Sequence, residues 1–252
     1  FMVGGELGFS VGPLLVVATI GLLTLRGLPW LMTLGILASF ILYFRLKQVS
    51  TIRHIENKSS LPVRQVLKEL PALMVPIVSV VFITGFLTAN VVNYLPTFMA
   101  SEGAAFSLAG ASLSVVEMSA TVGVLLMGLF SDRFGQRNVA IVGIVGSVVF
   151  SAGFLQTHGW LQILMLVGIG LTLFIPNPAF LAMIQTRFQY NRSLVNGIYM
   201  SSSFILRSAV VVLVGYLADR FGLRPVFAWS AAASLLAVPV MLLLPNPSYS
   251  KR

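Results

Sequence analysis

The chain is 252 residues long, 57% hydrophobic and 9% charged, with a formal net charge of +9. A soluble domain carries about 25% charged residues, so this composition excludes one and defines an integral membrane protein. Cysteine is absent and histidine occurs only at His54 and His158. That excludes a disulfide framework, a thiolate metal centre and a His-rich site, and no cofactor or bound metal is expected.

Crossing a hydrocarbon core of about 30 Å takes about 20 apolar residues. Windows of that length predict eight helical spans, at 1–24, 29–44, 72–95, 107–130, 138–156, 160–184, 194–217 and 226–244. The expected fold is therefore an all-α polytopic bundle. The first run opens at Phe1 with no basic region ahead of it, unlike a secretory signal peptide, and is read as the continuation of a longer protein.

One polar stretch, Arg45 to Glu69, divides the chain into 1–44, 45–70 and 71–252. Inside it, Val63, Val66, Leu67 and Leu70 fall at helical spacing. This stretch is read as either a short amphipathic helix on the membrane surface or a solvated linker.

Orientation follows from the basic residues. One set of alternate connections holds Arg45, Lys47, Arg53, Lys58, Arg64, Lys68, Arg133, Arg137, Arg187, Arg192, Lys251 and Arg252. The other holds Arg26, Arg220 and Arg224, and Arg207 lies within a span. The positive-inside rule makes the first set cytoplasmic, with the 45–70 loop and the C-terminus, and the expected location is the plasma membrane. The positive charge is thus a topology signal and an attraction to anionic lipid. No basic folded face points to nucleic acid.

Gly128 to Arg137, GLFSDRFGQR, returns as Gly215 to Arg224, GYLADRFGLR. Three predicted spans separate the copies, so they face opposite sides, as in an inverted repeat of a transporter. Asp132 falls at a helix end, where a carboxylate favours exposed amides and can hold Arg133 or Arg137. Gly128 and Gly135 permit close approach and a tight turn. Gly215, Asp219, Arg220, Gly222 and Arg224 are their counterparts. Such a corner is read as a latch that biases two conformations, or else as charges anchoring a loop at the interface.

These residues resemble the major facilitator superfamily of secondary transporters. GLFSDRFGQR is similar to that family's GxxxDRxGRR loop, departing at Gln136, and the run Gly8 to Pro13, GFSVGP, resembles the GxxxGP signature of drug-proton antiporters. The latter is represented here by Gly8, Gly12 and Pro13. The helix from Val3 to Ile20 is also similar to that of fosmidomycin-resistance-type efflux proteins, although the family's double Gly is Val16 and Val17 here. The resemblance implies that the eight spans are helices five to twelve of twelve. The polar stretch would be the central loop, with four helices of the same protein upstream.

Charge at membrane depth is expensive and usually faces a partner or a wet cavity. Glu6, Glu117 and Arg207 are the residues so placed, and the resemblance puts them on helices five, eight and eleven, which line the family's cavity or bundle seam. Glu117 is the first choice for proton coupling, because burial disfavours the charged carboxylate. Arg207 is read as its counter-ion or as a site for an anionic substrate. A structural ion pair between the two is the plainer reading.

Asn90, Asn93 and Asn177 are candidates for cargo contact, with interhelical hydrogen bonding the commoner use of such residues. Pro176 and Pro178 flank Asn177 and should open the backbone ladder there.

The expected function is secondary active transport of a small molecule by alternating access, preferably as proton-coupled efflux. Uptake of a nutrient by the same fold and a non-transporting membrane sensor or scaffold are the alternatives. No Ser-His-acid, metal-ligand or paired-carboxylate spacing falls within a span, so an enzyme is not expected. The implied partners are a small-molecule substrate, protons and the lipid bilayer.

Overall fold

The computed structural model describes residues 11–12, 15–22, 24–46, 63–188 and 191–244. Residues 11–12 and 15–22 are helical. A 3-10 turn at Leu25–Trp30 leads into α1 (Leu31–Leu46). Next, α2 (Val63–Ala89) runs through a π-turn at Asn90–Tyr94 into α3 (Leu95–Ser101). The remainder is α4 (Phe106–Phe134), α5 (Gln136–Gln156), α6 (Trp160–Leu173), α7 (Pro176–Arg187), α8 (Arg192–Phe221), α9 (Leu223–Ser234) and α10 (Ala237–Leu242). No strand occurs among the described residues.

Seven helical stretches among the described residues are long and apolar enough to cross a membrane. Most of the expected span 1–24 lies outside the described residues. Six of the seven, from Val66 to Leu242, pack into one bundle. In contrast, α1 packs chiefly against the 3-10 turn, and only 6% of its apolar window is buried.

The structure differs from the sequence reading at 63–70. These residues from Val63 onward form neither a surface helix nor a linker but the opening turns of α2, where Val66 and Leu70 are buried in the core. An i, i+4 apolar stripe suits a membrane surface and a bundle core equally, and here it continues through Leu73 and Ile77 in one core cluster with Met183 and Met241 of other helices. At the other end of the bundle Phe98, Phe154 and Phe227 stack with ring centroids 4.8 to 6.5 Å apart. Lipid tails are as apolar as these side chains, so close packing rather than water exclusion holds the helices together.

The two copies of the repeated sequence lie at opposite ends of the bundle. Each closes on one glycine: Gly135 joins α4 to α5 at φ 80°, ψ 148°, and Gly222 joins α8 to α9 at φ 83°, ψ 158°. Only glycine adopts this region without strain. Arg137 then donates to the Leu244 carbonyl after α10 (3.1 Å), and Arg224 donates to the Leu155 carbonyl near the end of α5 (2.7 Å). Because α5 has 21 residues, the two contacts are separated by about 30 Å along its axis.

Candidate functional site

Two glycines bring α4 and α6 together. A methyl group at Gly123 would overlap the backbone of Leu171, and one at Gly170 would overlap the backbone of Val116. Such mutual small-residue contact lets two backbones meet. It carries Glu117, one turn before Thr121 on α4, into the bundle interior, where it is 6% exposed.

Beyond Leu173 the ladder of this span breaks. Phe174 and Ile175 separate α6 from α7, which restarts at Pro176. Proline lacks a backbone donor and tolerates only the first turn of a helix, so the expected opening at Pro176 occurs and leaves Asn177 at mid-depth. Arg207 sits at the middle of α8 and donates to Asn177 Oδ1 at 2.8 Å.

These side chains border one cavity of about 230 Å³, lined by Gly85, Thr88, Ala89, Val92, Asn93, Glu117, Phe174, Asn177, Arg207 and Val211. Four of the polar positions selected from the sequence, on four different elements, therefore meet at one place. Asn93 enters through the π-turn, a feature frequent at functional sites, and bonds back to the Ala89 carbonyl. Asn90, on the same turn, is fully buried and points elsewhere: it donates to Phe86 O (3.0 Å) and to Ser230 Oγ on α9 (2.7 Å). Among its described contacts it ties two helices together.

Glu6, Gly8 and Pro13 lie outside the described residues, and so does the side chain of Asp132. Gly12 is helical, and a Cβ there would meet nothing within 4 Å. In the first loop copy, Gly128 and Arg133 are exposed, and Arg137 engages the Leu244 carbonyl. In the second, Gly215 sits against the Tyr94 hydroxyl, Asp219 is exposed and Arg220 lies over the Tyr216 ring at 5.0 Å. Arg224 takes Glu102 as its carboxylate partner at 2.7 Å. The reading by sequence overlooked Glu102, which follows α3 and stands 122 residues from that arginine. It also passed over Tyr199 and Ser203, although these and Arg207 recur at intervals of four along α8, the spacing of one helical face.

Apolar helices packed around a cavity lined by Asn93, Glu117, Asn177 and Arg207, with a glycine turn closing each sequence copy, define a multi-pass membrane protein. The chain belongs to the Major Facilitator Superfamily, whose model matches residues 1–211. It is similar to the fosmidomycin resistance protein of Escherichia coli (strain K12), with 24% identity over 255 residues that cover 98% of this chain and 62% of that protein. The chain thus spans less than two thirds of that relative's length.

Proposed function

We propose that the protein is a secondary active transporter that exports a small molecule in exchange for protons by alternating access. The observation that supports this reading is the convergence of Glu117, Arg207, Asn93 and Asn177 on one cavity inside the membrane bundle. A carboxyl group in such a place takes up and releases a proton according to its surroundings. If protonated Glu117 and bound cargo favour different conformations, each proton gradient shifts the population that faces outward.

Export is the preferred direction because the relative is named for drug resistance and because GFSVGP resembles an antiporter signature. In this reading residues 1–44 belong to one bundle, the polar stretch 45–70 is a cytoplasmic connection, and 71–252 form the second bundle in the plasma membrane. The loop copies act as corners whose contacts differ between the two conformations.

The test is Glu117→Gln in the full-length protein, reconstituted in vesicles with an imposed pH gradient. Proton-driven flux is lost while membrane insertion and the size-exclusion profile stay normal. Flux equal to the parent would remove Glu117 from the mechanism.

A further inference from the structure

Beside the main cavity, toward the Arg137 end of the bundle, lies a second one of about 150 Å³. Its polar lining consists of Asn177, Tyr199, Ser203 and Arg207, and no acidic residue borders it. Tyr199 and Ser203 are 4% and 6% exposed. Ser203 Oγ lies near Tyr199 and has no other hydrogen-bond partner among the described residues. A buried hydroxyl left in that state calls for an explanation. Arg207 directs one of its five donors to Asn177.

The four groups share one capability. Guanidinium, carboxamide, phenol and serine hydroxyl all offer N–H or O–H hydrogens, and together they bring one positive charge to a cavity whose own lining holds no acid. Such a set matches an oxyanion, whose oxygens accept several charge-assisted hydrogen bonds at once. The geometry points to this second cavity as an oxyanion subsite, in which Arg207, Tyr199, Ser203 and Asn177 hold a carboxylate or phosphate group of the transported molecule. Arg207 and Asn177 border both cavities, so a ligand spanning them places its anionic group on α8 and its apolar body against Phe174, Val92 and Val211.

This inference deepens the transporter reading and rests on it, and it assigns the substrate class. It is tested on the full-length protein in detergent by measuring the affinity for benzoate, phenyl phosphate, benzamide and benzylamine, which share a ring and differ in head group. Benzoate or phenyl phosphate binds about tenfold or more tightly than benzamide, and whichever anion is preferred identifies the head group. Ser203→Ala and Tyr199→Phe each weaken anion binding about tenfold, the scale of one hydrogen bond to a charged group, weaken benzamide binding less, and leave the size-exclusion profile unchanged.

Equal binding of benzamide or benzylamine overturns the subsite, as does anion binding indifferent to both variants, or no anion binding at all. Proton-driven flux of a cationic or neutral compound alongside such a result would leave the transporter reading standing. Absence of any proton-driven flux would instead sink that reading.

Discussion

Arg137 and Arg224, the last residues of the two sequence copies, fasten opposite ends of α5 to one span, Leu223–Leu242. Arg137 opens α5 and bonds to the carbonyl that follows α10, while Arg224 opens α9 and bonds to a carbonyl near the end of α5. A cation at a helix C-terminus meets unpaired carbonyls and the negative end of the helix dipole, so each bond satisfies a group the helix itself cannot. Removing either arginine by substitution with alanine lowers stability by about 1 kcal/mol, the net value of one such hydrogen bond. The sites are far enough apart for the effects to add. Glu102→Gln costs less than Arg224→Ala, because a half-exposed ion pair contributes little and the bond to Leu155 survives. Denaturation midpoints of the three variants check the order, and the double arginine variant checks additivity.

The glycine turns make a second prediction. Gly135→Ala and Gly222→Ala force a side chain into a region that costs about 1–3 kcal/mol, and both destabilise the bundle. Gly197→Ala, where a Cβ meets nothing within 4 Å, is neutral or slightly stabilising in a helix interior. Thermal unfolding in one detergent compares all three.

The contact between α4 and α6 is tighter still. Gly123→Ala and Gly170→Ala press a methyl group into opposing backbone, and the helices must separate at a cost of about 1–3 kcal/mol. Since Glu117 lies between these crossings on α4, transport falls together with stability. A variant that kept parental flux and unfolding temperature would show that the crossing is looser than described.

Asn90 and Asn93 should separate in their effects. Asn90→Ala breaks the bond to Ser230 and lowers stability by about 1 kcal/mol, typical of an interhelical polar contact in a membrane protein. Asn93→Ala leaves stability nearly unchanged, since its described bond is to its own helix, and alters substrate affinity severalfold. Unfolding and flux measured on the same preparations distinguish the two roles.

Residues 1–252 contain no cysteine, so single thiols placed among them report sidedness. Arg133→Cys and Asp219→Cys introduce single thiols at exposed positions beside the two turns. An impermeant reagent labels the Asp219 position in intact cells and the Arg133 position only after permeabilisation. Labelling of both from one side would refute the proposed orientation.

Composition showed a membrane protein, because 9% charge is incompatible with a water-facing surface, and the length of the apolar runs showed helices. Glu117 and Arg207 were visible for the same reason, as charge within an apolar run stands out, and Asn177 was marked by its flanking prolines. Glu102 was not, since nothing local distinguishes an acid in a loop that finds its arginine on a distant helix. Ser203 sits in a run of serines, and hydroxyls are common in membrane helices, where they usually bond to the preceding turn. Glycines at 123 and 170 looked like any of the 22 until the helices were seen to cross. The start of α2 was misread because an amphipathic stripe does not say whether lipid headgroups or a protein core will cover it.

Single-residue connections at Gly135 and Gly222 leave no slack between the helices they tether. Any rearrangement of the bundle must therefore carry α4 with α5, and α8 with α9, as jointed pairs, and compliance has to come from elsewhere. The interrupted backbones at Asn90–Tyr94 and Phe174–Ile175 are where such give is available, both of them on the cavity wall, so bending would be concentrated next to the cavity and the perimeter would stay stiff.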